Sequence, residues 1–266
     1  SGLSDVTEDD NPIGNLSDQT DTAKDLENQK IDIALIDSGA PEADYIKERV
    51  SVIGDDPSDD NGHGTAMAGY IHSMNDKATV LSIKALDKNG DGSISSVYAA
   101  MEYAIRAGVK VINLSLSAYS TKDASAIRDA VEDAKKAGIV VIGAAGNNGK
   151  DAKYYVPGNI PDAVIAGAAD FNGKRIQDSN YGSTVDYYVE ADSTSQAAAR
   201  LAALWVYYDL PYDGDITESY KFPVIWKNDE VSEIGEIYKN ADEELLDTSN
   251  KDIDDSKTAV VRYMYV

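Results

Sequence analysis

A chain of 266 residues is long enough to bury a full core, and the absence of cysteine removes disulfide frameworks, thiolate metal sites and cysteine nucleophiles from consideration. A formal charge of -23 argues against nucleic acid as a partner, because phosphate binding needs a basic surface or stripe and none is visible; the acidity reads first as solubility. No apolar run reaches the roughly 18 to 20 residues of a membrane span, and Ser1-Gly2-Leu3-Ser4-Asp5 lacks the basic and apolar regions of a signal peptide, as a mature or trimmed chain would.

Residues 1–28 are acidic and aperiodic (Asp5, Glu8, Asp9, Asp10, Asp18, Asp21) and read as a mobile lead-in that cannot bury enough surface to offset ordering entropy. A core is expected over 29–209. It opens with the apolar run Ile31 to Ile36, which stops at Asp37-Ser38-Gly39, and continues with runs of strand length at Thr79 to Ile83, Val109 to Leu114, Gly138 to Ile142 and Ala163 to Ala166. Between them the spacing predicts helices over Gly64 to Met74, Ser96 to Ala107 and Ala124 to Ala137, each with one apolar stripe, and a last one from Ser195 to about Tyr208. Strands that alternate with helices imply an α/β fold, a doubly wound parallel sheet with helices on both faces. Residues 210–266 read as an acidic, β-rich C-terminal extension packed on that core, with strands at Phe222 to Trp226 and Ala259 to Val266 and a loop-like stretch from Asn240 to Asp255.

In such sheets ligands bind beyond the carboxyl ends of the strands. Asp37, Ser115 and Asn147 each follow an apolar run and are expected along one edge. Of the two histidines, His72 reads as an ordinary packed or surface residue. His63 is different, because it lies in Asn61-Gly62-His63-Gly64-Thr65, where glycine allows close backbone approach. Ser195 stands among small residues at a helix start, in Ser193-Thr194-Ser195-Gln196-Ala197-Ala198-Ala199. A serine hydroxyl becomes a nucleophile only with a base, a group that orients the base, and donors for the oxyanion.

Asp37, His63 and Ser195 follow the chain order acid, base, nucleophile. With Ile36-Asp37-Ser38-Gly39, Asn61-Gly62-His63-Gly64-Thr65, Ala144-Ala145-Gly146-Asn147-Asn148-Gly149 and Thr194-Ser195-Gln196-Ala197-Ala198 in sequence, residues 30 to 208 resemble the subtilisin-like serine peptidases, or subtilases. The resemblance implies a serine endopeptidase in which Ser195 attacks, His63 moves the proton and Asp37 fixes the imidazole tautomer. It implies an oxyanion hole from Asn147 and the Ser195 N–H, and a polypeptide substrate laid in extended form beside Ser115, Leu116 and Ser117. No cofactor is required for that chemistry; subtilases often carry a structural calcium, whose ligands this sequence does not name. Family habit places such proteins outside the cell, and nothing in the sequence sets the oligomeric state.

Four positions depart from the family pattern: Ser193 stands for a glycine, Ala199 for a proline, and Ser117 and Ala118 for glycines. If the glycine position needs positive φ or very close substrate approach, Ser193 is expected to cost on the order of 1 to 2 kcal/mol or to misplace Ser195. That motivates an alternative reading as a catalytically weak or inactive subtilase fold that binds peptides. The stretch Asp87-Lys88-Asn89-Gly90-Asp91-Gly92 begins like a calcium loop, but its twelfth position is Tyr98 where a bidentate glutamate is needed, so it reads as a strand-to-helix loop.

Overall fold

The computed structural model describes residues 30–120, 124–219 and 225–228. The expected lead-in 1–28, the loop-like stretch 240–255 and the strand at 259–266 lie outside them.

Ten strands are present among the described residues: β1 Ile33–Asp37, β2 Ile46–Ser51, β3 Val80–Lys84, β4 Val111–Leu114, β5 Ala118–Tyr119, β6 Val140–Ala144, β7 Tyr155–Val156, β8 Val164–Ala169, β9 Tyr187–Glu190 and β10 Ile225–Lys227. The helices are α1 His63–Met74, α2 Ile94–Arg106, α3 Ser125–Lys136, α4 Thr194–Tyr207 and the short α5 Ile216–Ser219. Eight strands form one sheet in the order β10-β9-β8-β6-β4-β1-β3-β2, parallel throughout except for β10, which runs antiparallel to β9. β5 and β7 form a separate antiparallel pair.

The period of two along β1 decides which helices cover which face. Ala34 and Ile36 pack with Val97, Ala100, Met101 and Ala104 of α2 and Ile127, Ala130, Val131 and Ala134 of α3. Ile33 and Leu35 pack with Met67, Ala68 and Ile71 of α1 and with the Ala197 to Trp205 stripe of α4. The expected doubly wound α/β architecture is therefore present. Continuing that alternation, Asp37 belongs to the α1 and α4 face, at the level where both helices begin. The parallel strands are buried on both sides, which is why they read as unbroken apolar runs.

Two strands of the parallel sheet lack that signature. Among the described residues β2 is an edge strand, and it carries Lys47, Glu48 and Arg49, charges of the kind that disfavour pairing with another chain. β9 begins and ends on the half-buried Tyr187 and Glu190, so it is not an unbroken apolar run. The expected strand at 222–226 is represented by β10, whose Trp226 ring lies against Gly173; a Cβ there would come within 2.8 Å of it. No helix among the described residues is long and apolar enough to cross a membrane.

Candidate active site

The ends of β1, β4 and β6 are neighbours in the sheet, and they deliver Asp37, Ser115 and Asn147 to one edge. Asp37 is fully buried as the last residue of β1. Both of its carboxylate oxygens reach His63 Nδ1, at 2.8 and 2.9 Å. His63 is the first residue of α1 and follows Gly62, whose φ of 102 is a conformation that glycine adopts freely. A Cβ on Gly64 would stand 2.0 Å from the Gly39 carbonyl oxygen. Glycine at position 64 is thus a requirement of the close approach of helix and turn.

A network that the motifs did not reveal locks this start. Ser38 Oγ accepts from the Gly64 N–H and donates to Asp59, at 3.0 and 2.8 Å. The Asp59 carboxylate also accepts from the N–H groups of Asn61, Gly62 and Thr65 and from the Thr65 hydroxyl. Burial works to raise the Asp59 pKa, but the bonds from Thr65, Gly62 and Ser38 outweigh it and hold the group at about 2. The buried Lys84 ammonium, at the end of β3, donates to the carbonyls of Ser38 and Ser58 and pairs with Asp60, fastening the same loop from below. The signal for Asp59 in the sequence is an acid four residues before His63, in the position of a residue that collects N–H groups ahead of a helix.

Ser195 lies in the first turn of α4 and is 2% exposed. Its hydroxyl donates to the Ser115 carbonyl at 3.0 Å, while the Ser115 hydroxyl donates to the Ser195 carbonyl at 3.0 Å. The side chain of the fully buried Asn113 donates in turn to Ser115 Oγ at 2.8 Å. Leu116 and Ser117 are buried beyond Ser115, and the chain then pairs through Ala118–Tyr119 with Tyr155–Val156.

Ser193 has φ -152 and ψ 160, so the strained backbone expected for a serine in place of glycine is absent. The residue is the N-cap of α4, with its side chain accepting from the Gln196 N–H, and Gln196 Oε1 accepts from the Asp192 N–H. The N–H groups of Thr194 and Gln196 bond side chains at this end of the helix and that of Ala197 makes the first helical bond, to the Ser193 carbonyl; the Ser195 N–H takes part in none of these. Thr194 joins this helix to the loop after β6: its N–H donates to Asn147 Oδ1 at 2.9 Å, and its Oγ1 accepts from the Gly146 N–H at 3.1 Å. That contact fixes the Asn147 amide, whose Nδ2 is buried with no hydrogen-bond partner among the described residues.

The Asp87 loop is a turn closed by its own backbone. The Asp87 carboxylate accepts from the N–H groups of Asn89 and Asp91 at 2.8 and 2.9 Å. Among the described residues no three His, Asp or Glu side chains gather to hold a metal ion.

A buried carboxylate on one imidazole nitrogen, a serine at a helix start and a buried amide N–H with no partner among the described residues are groups that acyl-transfer chemistry can use. A sequence model described as "Subtilase family" matches residues 20–217. The chain belongs to the subtilase family. It is 34% identical over 200 residues to the Thermostable alkaline protease of Halalkalibacterium halodurans, covering 65% of this chain and 55% of that protein. It is likewise 34% identical over 170 residues to Subtilisin Savinase of Lederbergia lenta, covering 59% of this chain and 62% of the relative. The chain thus spans a little over half the length of these relatives. Among solved structures it is similar to a cold adapted subtilisin-like serine proteinase, with TM-score 0.62 and 23% identity over 67% of this chain and 74% of that one. A lanthipeptide protease gives TM-score 0.60 and 22% identity over 65% and 71% of the respective chains, and both likenesses speak for the fold.

Proposed function

We propose that this chain is a serine endopeptidase that cleaves polypeptides through Asp37, His63 and Ser195, with Asn147 as oxyanion donor. The observation that carries the reading is the grip of Asp37 on His63 Nδ1. A proton on Nδ1 is held by the carboxylate, so the lone pair of a neutral imidazole lies on Nε2. In the reaction the Ser195 hydroxyl turns from the Ser115 carbonyl, gives its proton to Nε2 and attacks the scissile carbonyl carbon. Asp37 stays ionised and stabilises the imidazolium, which passes its proton to the departing amine. The acyl group left on Ser195 is removed by water, activated the same way.

Negative charge on the carbonyl oxygen during attack is met by Asn147 Nδ2 and the Ser195 N–H, aided by the positive end of α4. The first of these donors supports the reading because it is oriented by Thr194 and has no partner among the described residues. A donor fixed in place before the reaction costs no reorganisation when the charge appears. Substrate lies extended beside Ser115, Leu116 and Ser117, so that main-chain bonds set register and side-chain pockets set preference. The chemistry draws on side chains and backbone and calls for no cofactor. One similar protein, from Thermus sp., is named an extracellular serine proteinase, which supports a place outside the cell for this chain as well.

The Ser195 hydroxyl bond to Ser115 favours a second reading, a peptide-binding module with weak turnover, in which the nucleophile stays parked on that carbonyl. A peptide-library cleavage profile with a Ser195→Ala control separates the two. Cleavage at defined positions that disappears in the control supports the peptidase; peptide binding with no cleavage by the parent protein overturns it.

A further inference from the structure

We infer that Asn180, a residue outside every motif of the site, positions the oxyanion donor Asn147. The inference rests on the reading of Asn147 given above. Asn180 is fully buried and sits in the segment between β8 and β9, thirty to thirty-five residues along the chain from the loop residues it holds. All of its hydrogen bonds to the loop after β6 fall on the residues that flank Asn147. Its Nδ2 donates to the Ala145 carbonyl at 2.8 Å, and its Oδ1 accepts from the N–H groups of Asn148 and Lys150 at 3.1 and 2.9 Å. Its own N–H donates to the Gly146 carbonyl at 2.7 Å.

The loop has to be held because its shape is not that of a regular element. Gly146 has φ +99, a conformation that side chains rarely adopt, and the Asn180 amide lies where a Cβ on Gly146 would be, within 2.5 Å. Asn180 therefore grips both ends of the turn whose apex carries Asn147, while Thr194 grips the apex itself through Asn147 Oδ1. A donor contributes to a transition state only if it stays within a few tenths of an ångström of where the oxyanion forms. Asn180 touches no part of the substrate; it acts through the placement of Asn147.

The test is a double-mutant cycle on the full chain, read as kcat and KM for a peptide substrate. Asn147→Ala alone lowers kcat by about 10²-fold or more with little change in KM; if it does not, the reading of Asn147 fails and the inference falls with it. Asn180→Ala lowers kcat by about 10-fold in the parent and by less than about twofold in the Asn147→Ala background, because a residue that acts through another has nothing left to act on. A loss of equal size in both backgrounds overturns the inference while leaving Asn147 in its role. Asn180→Asp keeps the volume but sets a buried carboxylate oxygen against the Ala145 carbonyl, and it is expected to lower kcat at least as much as Asn180→Ala; a parent-like kcat in Asn180→Asp overturns the inference. Hydrogen exchange on the unmodified protein needs no variant at all. Protected amides at Asn148 and Lys150 agree with the inference, and exchange there at the rate of free peptide contradicts it.

Discussion

The hydroxyls of Ser195 and Ser115 each donate to the other residue's carbonyl, both across 3.0 Å. This reciprocal pair ties the first turn of α4 to the end of β4, two elements that the chain order separates by 80 positions. Removing the Ser115 hydroxyl leaves the Asn113 amide without this acceptor in a buried place and takes from the Ser195 carbonyl the bond that it receives beside its helical one. Ser115→Ala is expected to lose about 1 to 3 kcal/mol of stability, measured by denaturant unfolding, and to slow turnover. A loss under about 0.5 kcal/mol would mean that the pair does not hold Ser195 in place.

Ser193 makes a sharper case, because its backbone is extended and its hydroxyl caps α4. Ser193→Ala is expected to cost about 1 kcal/mol, whereas Ser193→Gly costs a few tenths, since glycine is tolerated at this position of a helix. Casein hydrolysis by Ser193→Gly should stay close to that of the parent. A large gain in rate would show that the serine hinders substrate approach, as its departure from the family pattern suggests.

Gly64→Ala would place a methyl group 2.0 Å from the Gly39 carbonyl oxygen. A backbone atom cannot rotate aside as a side chain can, so helix and turn must separate and carry His63 away from Asp37. Overpacking of this kind costs roughly 1 to 3 kcal/mol, and turnover is expected to fall much further than stability. Parent-like melting and parent-like rates in Gly64→Ala would contradict the tight contact.

Asp59 carries a pH dependence whose sign follows from its lowered pKa. Its ordinary value of 3.8 falls to about 2 in the folded protein, so as pH drops through this window the unfolded chain takes up the proton first. The stabilisation is complete above the ordinary value and is lost as pH falls towards about 2. In Asp59→Asn the stability curve between these two values should be flatter than in the parent, as read by thermal melts across the range. Parallel curves would mean that the carboxylate is not what holds the start of α1.

The sequence made the central sheet and four long helices legible because the parallel strands are buried on both faces and each helix has one apolar stripe. It did not reveal β2, whose Lys47, Glu48 and Arg49 belong to an edge strand. In the candidate site, Asp37, His63, Asn147 and Ser195 stand out in the sequence as motifs, since each is flanked by small or turn-forming neighbours. The groups that hold them do not. Ser38 and Asn180 act by hydrogen bonds to residues distant in the chain, and an ordinary serine or asparagine gives no local sign of such a partner; Asn113 acts on Ser115 only two positions on, and Asp59 carries only the general mark of an acid ahead of a helix. Ser193 shows the converse, because a departure from a family glycine suggested strain where the backbone is relaxed.

The most direct test of the proposed peptidase is covalent labelling with a fluorophosphonate probe, followed by mapping of the modified residue. Labelling of Ser195 in the parent that is abolished in His63→Ala is the result expected, because the hydroxyl needs the imidazole to take its proton. Labelling that persists in His63→Ala, or that falls on another serine, would contradict the account.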